Sequence, residues 1–347
     1  MTKWMLAGVA GVALAGAALA QSTSRPTARP APASSPAVAD PGAIDQDIMH
    51  VQVILDHLGF SPGTLDGRAG ISLTAALKGF QEARGLTITG RIDQPTLAAL
   101  HPYAAWRPTV RLRLTEAALA GPYVNPIPHS EMEQAKLPSL GYRNPLEKLA
   151  EMFHTTPDVL IRLNSRETQL TPGTMVVFPN ALPSSRAYDT SLKPDWQQTL
   201  ASLNVDAVQP QGEKIVVDKS DGVLRVLDAA GKLVAQFQVT TGSEHDPLPL
   251  GTHKVTVIDR NPKFHYNPDL FWDAKATDKA AMLPPGPNGP VGVVWLDLNI
   301  PHYGIHGTPE PQYIGRTESH GCVRLANWNA ARLAQMVKPG VVVVFQA

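Results

Sequence analysis

Residues 213–242 read EKIVVDKSDGVLRVLDAAGKLVAQFQVTTG. Lys214–Asp218, Val223–Leu227 and 233–240 are apolar, β-branched runs, broken by Asp221-Gly222 and Ala230-Gly231, dipeptides that suit turns between strands. The same texture returns at 252–258, 291–298 and 341–345, and a single helical stretch, 327–337, precedes the last of these. Residues 212–347 are therefore expected to form a mainly-β unit of sandwich-like type. Between 261 and 290 lie about 30 residues crowded with Pro, Gly and aromatics, far longer than an ordinary connection in a compact domain and suited to a lid.

Upstream the pattern changes. Ile48, Val51, Leu55 and Leu58 recur at spacings of three and four, and Leu73, Leu77 and Phe80 repeat this after a Gly/Asp-rich turn, so 44–102 reads as three helices. Ser72 and Asp93 stand where N-caps would open the second and third. A second compact region, 140–180, starts with Asn144-Pro145-Leu146-Glu147, a cap, a proline at the first helical position and an acid at the third. Thr156-Pro157 signals another helix, and the apolar run from Met175 to Phe178 a short strand. Residues 181–211 read as a polar, Pro-containing hinge. Residues 21–43 are Ser/Pro/Ala-rich with almost no large apolar side chain, a tether rather than a fold. Residues 1–20 place Lys3 before an apolar Ala/Gly/Leu/Val run ending Ala18-Leu19-Ala20, the form of a secretory signal cleaved after Ala20. An uncleaved anchor is the weaker reading, because the run falls short of the roughly 20 strongly apolar residues that a span needs. The expected mature chain is exported, to periplasm or cell wall, with no transmembrane segment.

The 347 residues carry 30 Lys plus Arg and 30 Asp plus Glu, and no run of basic residues, so nothing gathers nucleic acid. The one cysteine, Cys322, excludes an internal disulfide in a chain bound for an oxidising compartment. A lone cysteine is commonly inert packing, but its neighbours are Ser319-His320-Gly321-Cys322-Val323-Arg324, with Tyr303-Gly304-Ile305-His306-Gly307-Thr308 upstream. A thiol attacks as thiolate and needs a base, and His is suited to take its proton. His306, arriving from a separate strand, can approach the sulfur freely; His320, two residues away, is held beside it and suits substrate positioning or loop fixing. A main-chain carbonyl such as that of Gly307 could fix the His306 tautomer, because no Asp lies close in sequence. Backbone N–H groups around Gly321 and Cys322 could receive an oxyanion.

These residues resemble the signature of the L,D-transpeptidase catalytic domain, or YkuD family, a His-Gly followed by Ser/Thr-His-Gly-Cys-hydrophobic-Arg; the runs LPLGTHKV and GPNGPVGVVWLDL extend the likeness from 213 to the C-terminus. It implies acyl transfer on peptidoglycan stem peptides: Cys322 attacks the carbonyl joining a third-position diamino acid to D-alanine, D-alanine leaves, and an amine takes the acyl group from the thioester. The acceptor could be a neighbouring stem, a lipoprotein lysine, a free D-amino acid or water. Arg324 would hold a carboxylate or the loop, Ser319 and Gly307 would help position, and Tyr303 and Trp295 would shape the cleft. No cofactor and no metal is implied. The stretch 58–100, LGFSPGTLDGRAGISLTAALKGFQEARGLTITGRIDQPTLAAL, resembles the peptidoglycan-binding type 1 domain, which implies a hold on glycan strands. The 140–180 region resembles a degenerate LysM repeat lacking an evident opening strand.

Other classes fit less well. His302, His306, His320 and Cys322 are zinc-ligand types, but four steps along a strand span roughly 13 Å, too far for one ion. A catalytically silent wall adaptor, an L,D-carboxypeptidase and a papain-like peptidase are the remaining alternatives.

Overall fold

The computed structural model describes residues 43–272, 274, 275, 277–317, 319 and 321–347. The expected signal (1–20), nearly all of the linker (21–43) and His320 lie outside the described residues. Among the described residues no helix is long and apolar enough to cross a membrane.

The N-terminal unit holds α1 (Gln46–His57), α2 (Ile71–Ala83) and α3 (Gln94–Leu100) around Leu55, Phe60, Leu73, Leu77 and Phe80. Asp93 caps α3 as expected, its carboxylate accepting from Thr96 N at 3.0 Å. Helix α2 differs from expectation. It opens at Gly70, with Thr74 N bonded to Gly70 O at 3.0 Å, and Ser72 falls inside the first turn.

Next come β1 (Thr109–Arg113), α4 (Glu116–Leu119), α5 (Glu131–Gln134), α6 (Pro145–Met152), α7 (Pro157–Leu163) and β2 (Met175–Pro179). Asn144 caps α6 by accepting from Glu147 N at 2.9 Å. Strand β1, outside the expected 140–180 region, pairs antiparallel with β2, Thr109 opposite Pro179. The chain between β1 and α6 reaches the C-terminal unit, where Leu140 N donates to Pro285 O and Asn288 Nδ2 to Gly141 O, each at 2.9 Å.

The hinge reading of 181–211 is corrected by α8 (Pro194–Ser202), which buries Trp196 and Leu200 in the core of the C-terminal unit. Two large apolar side chains one turn apart anchor a segment that is otherwise polar.

The C-terminal unit contains β3 (Lys214–Asp218), β4 (Val223–Leu227), β5 (Leu233–Gln238), β6 (Gly251–Arg260), β7 (Phe264–Tyr266), β8 (Ala281–Leu283), β9 (Val294–Leu298), β10 (Gly304–His306), β11 (Val323–Arg324), α9 (Asn327–Met336) and β12 (Val342–Gln346). Eight strands form one sheet in the order β11-β10-β9-β6-β12-β3-β4-β5; β10 with β11 and β12 with β3 are parallel, and the other neighbours antiparallel. The sandwich-like expectation is corrected here. A single sheet curls around one core, so Val217, Val226, Phe237, Leu296, Ile305 and Val343 join the same cluster as Trp328 of α9. The separate β7-β8 ribbon occupies the stretch read as a lid.

The N-terminal unit sits against β5 and α9. Gln236 Nε2 donates to Ala75 O at 2.7 Å, Ser61 N to Gln236 O at 2.9 Å, and Asn329 Nδ2 to Ser61 Oγ at 2.8 Å. Helix α6 meets α9 through Glu151, whose Oε1 accepts from Asn327 Nδ2 at 2.8 Å. Burial pushes the Glu151 carboxyl up to about 7, against hydrogen bonds from Tyr142 and Asn327 that favour its charged form. Because the folded value lies above the unfolded one, the stability this group supports is full below about pH 4.5 and is lost as pH rises through about 7. Glu151→Gln is therefore expected to raise stability at pH 8 by about 2–3 kcal/mol and to change little at pH 4.5, measured by urea unfolding at both values.

Candidate active site

Strand register builds the site. On β9, Val294, Leu296 and Leu298 point to the core, which turns Trp295 and Asp297 to the opposite face. Trp295 pairs with His306 across β9 and β10, and His306 pairs with Arg324 across β10 and β11. Ile305, Val323 and Leu325 take the core side, so His306, Cys322 and Arg324 share the outer face with Trp295. All four line one cleft of about 870 Å³, together with Tyr303 and Phe264 of the ribbon. The α5 residues Glu131 and Gln134 also reach its wall, a contribution that local pattern could not reveal.

His306 is 4% exposed, with its ring stacked on Trp295 at 5.5 Å between centroids. Its Nδ1 lies 2.6 Å from Gly307 O. A carbonyl only accepts, so Nδ1 carries the proton and the Nε2 lone pair is free to take one. Gly307 admits this arrangement because any Cβ there would collide with Asn327 Oδ1. Burial, then the nearby Arg324 cation, push the imidazole down to about 4, against the bond to Gly307.

Cys322 is partly exposed to the cleft, and its Sγ–H donates to His302 O at 3.6 Å. Desolvation pushes the thiol up to about 11; a backbone bond from Gly304 and the charge of Arg324 oppose the rise, and Asp246 adds to it. The sequence led us to expect a thiolate beside its base. The site instead favours a neutral thiol and a neutral imidazole, because His306 is buried beside Arg324 and desolvation outweighs the Arg324 charge at the half-buried Cys322.

The Cys322 loop is pinned on several sides. Gly321 has φ of +93°, and a Cβ there would meet the Tyr303 ring. Ser319 is buried, its hydroxyl donating to Cys322 O at 2.6 Å and its N–H to Thr241 O at 3.2 Å, so it braces the loop and turns away from the cleft. Arg324 N donates to Thr240 O at 2.9 Å, and Leu325 N to His306 O at 2.8 Å. His302 stands in the turn before β10 with φ of +69°, offering its carbonyl to the sulfur.

Comparison with known proteins bears on both ends of the described chain. Residues 212–345 match the model of YkuD, the L,D-transpeptidase catalytic domain, and residues 45–100 match the one described as "Putative peptidoglycan binding domain". The "Putative L,D-transpeptidase YkuD" of Bacillus licheniformis is 48% identical over 56 residues, 16% of this chain and 34% of that protein. The "Putative L,D-transpeptidase YqjB" of Bacillus subtilis is 26% identical over 150 residues, 40% of this chain and 77% of that protein. The matched part thus spans about a third of the length of the first curated relatives. An L,D-transpeptidase structure from Mycobacterium smegmatis is 21% identical with a TM-score of 0.32, over 38% of this chain and 58% of that one. Residues 212–345 are an L,D-transpeptidase catalytic domain of the YkuD family, preceded at 45–100 by a peptidoglycan-binding domain.

Proposed function

We propose that the protein is a cysteine-dependent L,D-transpeptidase that joins peptidoglycan stem peptides through a thioester on Cys322. The observation that carries this reading is the adjacency of parallel strands β10 and β11, which turn His306, Cys322 and Arg324 into one cleft with the His306 Nδ1 proton directed to Gly307 O.

As Sγ attacks the carbonyl between the third residue and D-alanine, its proton passes to His306 Nε2. Backbone N–H groups at Gly321 and Cys322 receive the oxyanion. The C–N bond to D-alanine breaks, the leaving amine takes the proton from His306, and the thioester remains. An amine from a second stem then displaces the sulfur, linking two third-position residues. Arg324 holds a substrate carboxylate at the cleft wall, where its planar fork suits that group.

The reading extends to place and partners. The chain is exported by its N-terminal signal to periplasm or wall, the 45–100 domain holds glycan strands, and the β1-to-β2 region serves as a second, LysM-like wall contact. The test is incubation with purified disaccharide-tetrapeptide and mass analysis of products. The expected species is a dimer lighter by one D-alanine, absent with Cys322→Ala, which also loses the covalent adduct that a carbapenem leaves on the wild type. Tripeptide alone would replace this reading with L,D-carboxypeptidase activity, and no turnover or adduct by folded protein would leave a wall adaptor.

A further inference from the structure

We infer that Asp246 is the receptor for the ammonium group of the incoming acyl acceptor, and so decides whether the thioester goes to an amine or to water. This rests on the transpeptidase reading above and deepens it.

Asp246 lies on a turn strapped to the nucleophile loop. Thr240 N donates to Arg324 O at 3.1 Å and Arg324 N returns the bond at 2.9 Å, while Ser319 N reaches Thr241 O at 3.2 Å. The turn itself is closed by Ser243 N to Asp246 O at 2.9 Å and Asp246 N to Ser243 Oγ at 3.0 Å. Gly242 has no room for a Cβ against Asp246 O. The carboxylate is thereby fixed in the wall of the cleft that holds Cys322, Tyr303 and Arg324.

Its Oδ2 is closed off from solvent and has no hydrogen-bond partner among the described residues. A carboxylate oxygen in that state is unfavourable until a donor arrives. Asp297, another acid of the cleft, is satisfied already: it accepts from Trp295 Nε1 at 3.2 Å and Thr256 Oγ1 at 2.8 Å. Asp246 is also an anion close enough to oppose ionisation of both Cys322 and Tyr303. An acid that opposes ionisation of Cys322, and whose Oδ2 finds no donor among the described residues, is explained by a cation that comes during turnover.

The order of events identifies that cation. In the free enzyme the carboxylate opposes a thiolate, but once sulfur is held in a thioester that objection disappears. The next reactant to approach the sulfur-bound carbonyl is an amine, largely an ammonium at neutral pH. The ammonium gives one proton to the Asp246 carboxylate, and the free amine attacks the carbonyl. The C–N bond forms as the C–S bond breaks, the second amine proton passes through His306 to the departing sulfur, and Asp246 releases its proton to water. The sum is amide, restored thiol and one proton. Water needs no such receptor, so hydrolysis should be indifferent to Asp246.

The test uses the full chain with disaccharide-tetrapeptide as both donor and acceptor, comparing wild type with Asp246→Asn and Asp246→Ala. Read together are the ratio of cross-linked dimer to tripeptide, the rate of Cys322 alkylation by iodoacetamide, and the thermal midpoint. The expected result is a fall of tenfold or more in the ratio, with alkylation unchanged or several-fold faster and the midpoint unmoved. An unchanged ratio would overturn the inference, as would loss of alkylation and midpoint together, which marks a structural residue. Slower thioester formation at a constant ratio would also overturn it, by assigning Asp246 to the donor. A wild type that acylates but yields only tripeptide removes the inference and leaves the acyl-enzyme; a wild type that forms no thioester removes both.

Discussion

Replacing His306 with alanine will lower kcat/KM for thioester formation by about 10²- to 10⁴-fold at pH 7, and the deficit will shrink as pH approaches 11. The reason is the resting state of the pair. With the thiol pushed up to about 11 and the imidazole down to about 4, transfer of the proton before attack would create two charges in a desolvated site. On the mechanism proposed above, the proton therefore moves as the S–C bond forms, with the ring as general base in the transition state. Its neutral form persists down to about pH 4, so the acid limb of the wild-type profile should lie near 4 and below the usual imidazole range. Near pH 11 the thiolate forms unaided and the base loses its advantage. Arg324→Gln should move the acid limb upward, because the guanidinium is the second cause of the depressed value. Stopped-flow acylation across pH 3.5–11 measures all three effects. An acid limb at about 6.5, or equal rates for variant and wild type at pH 7, would contradict the assignment.

Much of this site could be read from the sequence because its chemistry depends on residue types in a fixed order. Cys322 is the one thiol in the chain, and His306 and Arg324 occupy short apolar strands whose neighbours Ile305, Val323 and Leu325 announce a core-facing side. The strands Lys214–Asp218 and Val223–Leu227 match their expected bounds, since β-branched runs between Asp-Gly and Ala-Gly turns leave little freedom. What escaped depended on distant partners. Helix α8 carries only Trp196 and Leu200 toward the core, and its first turn has no side-chain cap, so its sequence looks like a hinge until the core is in place. Strand β1 alternates Val110 and Leu112 with arginines and is recognisable only through its pairing with β2. The neutral resting state favoured at Cys322 and His306 was also out of reach. Motif spacing reports which groups meet, whereas desolvation depends on how everything else closes over them.

The modules meet around Asp56, and Asp56→Asn is expected to destabilise the chain by about 3–5 kcal/mol at pH 7. Asp56 lies on α1 of the N-terminal unit, His154 just after α6, and Arg332 on α9 of the catalytic unit; all three side chains are at most 6% exposed. His154 Nδ1 is 2.9 Å from Asp56 Oδ2 and its Nε2 is 2.8 Å from Leu203 O, so both ring nitrogens face acceptors, while the ring stacks on Trp328 at 5.0 Å. Arg332 reaches Asp56 Oδ1 at 3.4 Å. Burial by itself would raise the Asp56 carboxyl, but His154 and Arg332 outweigh it and hold it at about 2. The folded value lies below the unfolded one, so the contribution is complete above about pH 4 and disappears as pH falls through about 2. Asparagine keeps the shape and removes the charge, leaving the guanidinium of Arg332 buried without its counter-ion. Urea unfolding should show the full deficit at pH 7 and a smaller one near pH 3. Because the three partners belong to three modules, the variant should also release the 45–100 domain from β5 and α9, visible as faster amide exchange at Ser61 and Gln236, whose bonds cross that contact. The Asp56 cluster thus ties the 45–100 domain to the unit that holds the Cys322 cleft. Undiminished stability and unchanged exchange in Asp56→Asn would show that apolar packing across the contact suffices without the charges.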